Sequence, residues 1–464
     1  MKTKMKKNSK GKNVKPWWEK PGFAIQYQIE ARPGWIWNRN YDKFNASMKD
    51  ENGNLKFNGP FCKMKKWVEF SKKVGVDYHH FESKWHDGIC YWNTKYTKWK
   101  TPEDYCKVYA EESRKAGIPF LFYYSSLFDH NPDFDDIQPL RGVTPSFMAM
   151  HRKNKKEIVD FSMKIAKLNE ISSKQEAKKR NFSYNIEFFD EVHFHDFNYN
   201  PEKYEDYIIN QIKELIDNYK PSGIWCDWYC GDAENSAFLI MDFMEKNYPD
   251  VILAYNYSIG NVLKWAHFLS GETHNLETAW KHSNIYRKSE KPWELICPAG
   301  HAWDIPIARP DPYEIVRFAA MTMASGGKMC FGLPSQMNGE LFPEPAHNLE
   351  LLGAWYKPRH ALFTESIPMI YEGKKVPGVE VSEKDFGTIG SINEDDTLVH
   401  LINFKSQKKE LTIEFTQQQW PKIKKIVLEP NKKELEHKKT NNKIVLLLSK
   451  EEIDPVDTIL RIIT

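Results

Sequence analysis

The sequence predicts an α/β protein, a (β/α)8 barrel followed by a small C-terminal antiparallel β-sandwich. Three observations point there. Short β-like runs alternate with longer helix-like stretches from residue 17 to about residue 360. Glycine closes helix-like stretches just before the next β-like run, as in Lys73-Val-Gly75-Val and Lys115-Ala-Gly117-Ile. Beyond about residue 366 the chain breaks into short alternating runs separated by Asn, Asp, Lys and Gly turns. A length of 464 residues accommodates one large domain and a smaller one.

In chain order, residues 1–16 hold seven lysines and no acid. They lack an apolar central stretch, so they do not read as a signal peptide. They read as a solvated, disordered tail, or as what remains once an export signal is removed. The compartment is therefore open: periplasmic or extracellular in the second case, cytoplasmic otherwise. Residues 17–362 are expected to form the barrel. Its candidate strands include Phe23–Ile29, Val76–Phe81, Pro119–Tyr124, Gly223–Asp227 and Val251–Tyr255, and its candidate helices Met64–Val74, Pro102–Ala116 and Glu202–Tyr219. An open doubly wound sheet is the rival, but no Gly-rich phosphate loop follows the first strand. Residues 185–199 fit neither pattern and read as a long loop. Residues 366–464 supply the runs of the sandwich.

Composition excludes several classes. The formal charge is +3, and without the tail about −4 remains, which argues against a nucleic-acid binder with a basic body. No run reaches the 18 or more apolar residues of a membrane span, and the mean hydropathy is −0.65. The seven cysteines form no dense framework and read as buried thiols. Sixteen tryptophans, many beside polar residues, would suit stacking against flat ligands such as sugars.

In a barrel, chemistry sits at the carboxyl ends of the strands. That rule selects Ser83-Lys-Trp85-His86-Asp87-Gly88, Tyr123-Tyr124-Ser125 and Gly223-Ile-Trp225-Cys-Asp227-Trp228. Asp227 ends an apolar strand between two tryptophans; a carboxylate there is either paired and functional or a cap on the next helix.

These residues resemble glycoside hydrolase family 29, the α-L-fucosidases. The run from Lys84 through Trp85-His-Asp-Gly-Ile-Cys-Tyr-Trp92 to Tyr96-Thr97 is similar to that family's signature. So, in order, are the stretch from Lys115 to Ser125, His130-Asn-Pro-Asp133, Gly223 to Asp227, Pro292-Trp293-Glu294 with Trp303, Ser325-Gly326-Gly327 and Asn338-Gly339. The resemblance implies a retaining mechanism without a cofactor or metal, with Asp227 as nucleophile and Glu294 as the best-aligned acid/base. Glu272, Glu277 and His301 are the other candidates for the acid/base. Gln28, Trp85, His86, Tyr124, Trp225 and Trp303 are the expected substrate contacts.

Departures bear on the sugar. Where the family has two adjacent histidines this chain has Trp85 and His86, Gln28 is the closest match to the family's first-strand histidine, Asn256-Tyr257 replaces an arginine, and Lys328 replaces an asparagine. An indole offers one donor and no acceptor. The expected activity is hydrolysis of a terminal α-L-sugar from a glycoside or oligosaccharide, either fucose or a C4/C6 variant such as L-glucose or L-galactose. Two alternatives are an endo-acting sulfated-fucan hydrolase, with basic residues in Lys281–Lys291 for sulfate, and a carbohydrate-binding protein with a decayed site. A metal reading of His193, His195 and Asp196, with His79-His80 adding a ligand, competes with exposed loop or barrel-interior histidines, which is the commoner case. The oligomeric state is not legible.

Overall fold

The structure, a computed structural model, describes residues 6–7, 13–29, 51–52, 61–126, 129, 131, 133–134, 201–227, 234–256, 258, 266–301, 303, 307, 309–405 and 409–464. Eight parallel strands close into a barrel: β1 (Gly22–Gln28), β2 (Tyr78–Lys84), β3 (Phe120–Ser125), β4 (Gly223–Asp227), β5 (Ile252–Tyr255), β6 (Phe268–Glu272), β7 (Trp293–Pro298) and β8 (Lys328–Pro334). They follow chain order around the barrel, and β8 pairs with β1 to seal it.

The surrounding helices include α1 (Met64–Val74), α2 (Tyr105–Ala116), α3 (Pro201–Tyr219), α4 (Glu234–Asn247), α5 (Leu276–Tyr286), α6 (Glu314–Ala324) and α7 (Pro343–Tyr356). Helix α1 buries Met64, Trp67, Val68, Ser71 and Val74, the spacing that keeps one helical face against the barrel. Helices α1 and α2 end at Gly75 and Gly117, with φ of 82° and 70°. That left-handed turn is open to glycine at little cost, and it releases the chain into the next strand. Asp104 caps α2 by accepting from the Lys107 backbone N–H at 2.9 Å.

Strand β2 runs on to Lys84, three residues beyond its expected end at Phe81. Pairing of Glu82 with Tyr123 and of Lys84 with Tyr124 extends the ladder across a bulge, so Ser83 and Lys84 belong to the strand.

After the barrel, antiparallel strands form two sheets around a separate apolar core that includes Val399, Leu401, Ile413, Phe415, Leu446 and Ile462. One sheet has six strands, among them β9 (Phe386–Asn393), β10 (Asp396–Asn403) and β13 (Asp457–Ile463); the other has four, among them β11 (Glu410–Thr416) and β12 (Lys443–Ser449). Buried arginines dock these sheets on the barrel's outer helices. Arg317 donates to the backbone oxygen of Asn403 at 2.5 Å, and Arg287 donates to that of Tyr371 at 2.9 Å while lying over its ring. Cys62, Cys90, Cys106, Cys226, Cys297 and Cys330 are buried free thiols; Cys230 lies outside the described residues. No described helix is long and apolar enough to cross a membrane.

Candidate active site

Successive inward-facing residues stack in layers along each barrel strand. At the carboxyl ends of β4, β5 and β6 the uppermost layer is polar: Asp227 closes β4, Asn256 follows β5, and Glu272 closes β6. The Asn256 side-chain amide donates from its one nitrogen to Asp227 Oδ1 at 2.8 Å and to Glu272 Oε1 at 2.9 Å. Two carboxyl oxygens hung on one nitrogen lie no further apart than these two distances end to end. With straight bonds from one planar NH2 group they lie about 5 Å apart. Tyr123, on β3, donates its hydroxyl to Asp227 Oδ2 at 2.5 Å. His86 Nε2 stands 3.6 Å from the same oxygen, and its Nδ1 shares a 2.7 Å hydrogen bond with Ser125 Oγ. Donors on both oxygens favour the ionised form of Asp227. Only 6% of Asp227 is exposed, so those donors act in a poorly solvated place.

Glu272 is less enclosed. Its Oε2 accepts from the indole N–H of Trp303 at 3.2 Å and lies 3.2 Å from Nε2 of the exposed His274. Trp303 reaches across β8 because residue 332 is glycine. A Cβ there would stand 2.3 Å from the Trp303 ring and 2.7 Å from Gln28 Oε1. Gln28 ends β1 and is buried, with no hydrogen-bond partner on Oε1 among the described residues. Trp85 stacks on His86 with ring centroids 4.8 Å apart and packs into the barrel interior with Tyr123 and Trp225.

Glu294 occupies a different layer. It is the second residue of β7, level with Ser270 of β6 and Lys328 of β8, one inward position nearer the amino ends than Glu272. It is fully buried. Its Oε1 accepts from Trp225 Nε1 at 3.0 Å and from Ser270 Oγ at 2.9 Å, and its Oε2 accepts from the Tyr78 hydroxyl. Burial pushes its carboxyl above the usual range, opposed by the Tyr78 hydrogen bond and the nearby Lys328 charge. Burial pushes the Lys328 ammonium down; its Nζ donates to the Trp18 backbone oxygen at 2.8 Å. His80, Glu294 and Cys330 are the group of possible metal ligands among the described residues, with their ligand atoms within 4.8 Å of one another. Glu294 already accepts three hydrogen bonds beside an ammonium, which is the surrounding of a compensated buried carboxylate.

The Alpha-L-fucosidase family model matches residues 17–360. The chain belongs to the α-L-fucosidase family. It is a glycoside hydrolase of that type, and its barrel with C-terminal sandwich is the family's architecture. Solved relatives share the fold at low identity. The Thermotoga maritima α-fucosidase in complex with fucose is 16% identical, with a TM-score of 0.63 and 96% of each chain covered. α-L-Fucosidase isoenzyme 1 from Paenibacillus thiaminolyticus is 17% identical, with a TM-score of 0.63, covering 96% of this chain and 97% of that one. A Bacteroides thetaiotaomicron α-L-fucosidase, trapped as a covalent intermediate with 2-fluoro-fucosyl fluoride, is also 17% identical at 0.63, covering 100% of this chain and 99% of that one. No curated protein matches the chain.

Within this fucosidase barrel the residues singled out from sequence separate into three groups. Asp227, Glu272, His86 and Trp303 are joined by the contacts above, with Gln28 beside Trp303 and Trp85 against His86. Trp225 and Glu294 are one layer beneath. The Trp225 indole donates to Glu294 and stacks on Tyr123 at 5.4 Å, so it supports the layer above and does not face its opening. The rest lie away from the Asp227–Glu272 pair. Tyr124 points outward from β3, its hydroxyl donating to Gln211 on α3 at 2.7 Å and accepting from Lys84 at 2.9 Å. The contact expected of Tyr124 falls to Tyr123, because neighbouring strand residues face opposite sides. Glu277 is exposed in the first turn of α5. His301 is exposed beyond β7 and makes no hydrogen bond to either carboxylate among the described residues. Lys84 also points outward, to Asp129 at 2.5 Å and over the Tyr124 ring.

In the basic stretch Lys281–Lys291, Arg287 and Lys288 are engaged with the C-terminal region through Tyr371 and Glu372. Of the expected metal ligands, His79 is buried between Ser71 and Ser113. His193, His195 and Asp196 lie outside the described residues, as do residues 185–199. Sequence reasoning selected the run Tyr123-Tyr124-Ser125 but took Tyr124 and not Tyr123 as the contact, and it noted Asn256 only as a replacement; strand alternation from Asp227's neighbours could have chosen Tyr123.

Proposed function

We propose that the chain is a retaining exo-α-L-glycosidase in which Asp227 is the nucleophile and Glu272 the acid/base. The carrying observation is that both carboxyl groups hang on the same Asn256 nitrogen at the carboxyl ends of the strands. Retaining glycosidases keep their two carboxyl groups about 5–5.5 Å apart, too close for a water to stand between them in the first step. The covalent intermediate trapped in the Bacteroides relative supports the same chemistry here.

In the first half, an Asp227 oxygen attacks the anomeric carbon while Glu272 gives its proton to the departing oxygen. The glycosidic bond breaks and an aspartyl ester of the sugar forms. In the second half, Glu272 takes a proton from water, the water oxygen attacks the anomeric carbon, and the ester bond returns its electron pair to Asp227. Asn256 engages Oε1 of Glu272, so Oε2, beside Trp303 and His274, is the oxygen that carries the proton. Tyr123 and Asn256 hold Asp227 ionised for attack.

The sugar pocket supports a changed preference within L-sugars. Trp85 brings a large ring where a paired histidine is expected, and the amide of Gln28 offers an acceptor against Gly332 and Trp303. The substrate is a terminal α-L-fucoside or a C4/C6 variant such as an L-galactoside or L-glucoside. A panel of aryl α-L-glycosides varied at C4 and C6 tests both parts. We expect turnover of about 1–1000 per second on at least one member, retention of configuration by NMR, and loss of turnover in Asp227→Asn. A variant as active as wild type would remove the mechanism. Wild-type inactivity across the panel, with sugar binding unaffected by Asp227→Asn, would favour a binding protein instead.

A further inference from the structure

We propose that Asn256 is the positioning residue that fixes the carboxylate pair, a role that rests on the reading of Asp227 and Glu272 above. Both acceptors are carboxyl oxygens, so only the NH2 end of the amide can face them, and its two hydrogens are divided one to each. The side chain is buried, with 2% exposed. Its backbone N–H donates to the Cys226 carbonyl at 2.9 Å, which carries the β4–β5 ladder one residue past the end of β5. Two positions on, Ser258 N–H donates to the Ser270 carbonyl at 3.0 Å and Ser258 Oγ to the Tyr255 carbonyl at 2.7 Å. Asn256 is therefore clamped between β4, which carries Asp227, and β6, which carries Glu272.

This arrangement has two consequences. The first is distance. A short, two-torsion side chain held between the two strands sets how far the longer Glu272 carboxyl stands from Asp227, which is the quantity that the double-displacement reaction depends on. The second is charge. A neutral amide gives each carboxylate one hydrogen bond and no positive charge, whereas the family resemblance implies an arginine where this chain has Asn256-Tyr257. Donating to each carboxylate, at 2.8 and 2.9 Å, the amide favours the ionised form of both, so its loss moves both in the same direction. The working pH range then moves as a unit, since Asp227 must be ionised and Glu272 protonated for the first step.

The test uses purified full-length protein with Asn256→Ala, which removes both donors, and Asn256→Ser, whose single hydroxyl can serve only one carboxylate at a time. On the best aryl glycoside of the panel, Asn256→Ala is expected to lose about 100-fold in kcat with KM changed less than threefold. Both limbs of its pH–rate profile should move upward. Asn256→Ser should fall between Ala and wild type in both readouts. Wild-type kcat and unmoved limbs in Asn256→Ala would overturn the proposal, as would a loss of kcat with unmoved limbs that Ser does not partly restore, which is the signature of mere packing damage. Asp227→Asn on the same aryl glycoside, and Glu272→Gln on a glycoside of the same sugar with a poor leaving group, keep the two readings apart. If those two lose turnover while Asn256→Ala does not, the inference about Asn256 fails alone; if they remain active, the underlying assignment fails.

Discussion

Glu272 and Glu294 are both glutamates, both face the barrel interior, and sit on neighbouring strands, yet one lies at the mouth and the other beneath it. Glu272 has around it the Asn256 amide that also donates to Asp227, a tryptophan N–H and an exposed histidine. Glu294 has three donors, a buried ammonium and no exposure. Burial raises the deeper carboxyl, its three donors and the Lys328 charge oppose that, and no substrate reaches it. A perturbed carboxyl is therefore a sign of function only together with access. One inward step along a parallel strand converts a candidate acid into a brace: Glu294 holds Trp225, Trp225 stacks under Tyr123, and Tyr123 donates to Asp227.

Exchanging the two glutamates' chemistry one at a time gives the largest contrast. Glu272→Gln removes the proton carried to the leaving oxygen. It should lower kcat on a substrate with a poor leaving group by about 10²–10⁴-fold and much less on an activated aryl glycoside. Glu294→Gln should keep kcat within about tenfold of wild type on both substrates, but lower unfolding stability by about 1–3 kcal/mol, because an amide cannot accept all three donors as a carboxylate does and Lys328 loses its partner. Kinetics with paired leaving groups and denaturant unfolding check both. If Glu294→Gln shows the leaving-group dependence and Glu272→Gln does not, the assignment of layers to roles is reversed.

A smaller effect sharpens the boundary of the mouth. Gly332→Ala puts a methyl group into the space of the Trp303 ring and the Gln28 amide. Trp303 must shift, and its hydrogen bond to Glu272 weakens or breaks. The expected result is a fall in kcat/KM of about tenfold, the size of one lost hydrogen bond, with unfolding stability changed by less than about 1 kcal/mol. An unchanged kcat/KM would mean that Trp303 does not take part in holding Glu272.

The same layering explains what could be read from the chain. The barrel was legible because β3, β4 and β5 are largely apolar runs and Gly75 and Gly117 mark the helix exits. Strands β6, β7 and β8 lacked that signal, since Ser270, Glu272, Glu294 and Lys328 bring polar groups inward and break the apolar run. Asp227 was legible because a carboxylate ending a buried strand is costly without a role. The choice between Glu272 and Glu294 was not, because each stands in a short strand-like run and only the register between strands assigns a layer. Tyr124 was preferred to Tyr123 for a related reason: strand direction was clear, but the parity of inward residues was not.

The smallest contrast lies wholly in the lower layer. His80 is fully buried, faces Glu294 at 4.0 Å, and has no hydrogen-bond partner on either ring nitrogen among the described residues. Tyr78, Trp225 and Cys330 also border it, and burial pushes its pKa down to about 3. The unfolded imidazole takes up its proton near pH 6.5, while the folded one resists until about pH 3, so its share of the stability is present above pH 6.5 and is lost as pH falls across that window. His80→Phe replaces the unpartnered nitrogens with carbon. It should leave stability at pH 7 unchanged or raised by up to about 1 kcal/mol, and should make stability fall less steeply between pH 6.5 and 3 by about one proton's worth. His79, also pushed down to about 3, continues to supply part of the slope. Denaturant unfolding at stepped pH checks this, and kcat on the best substrate should stay within about twofold of wild type, since His80 belongs to the layer that braces the chemistry rather than the layer that performs it.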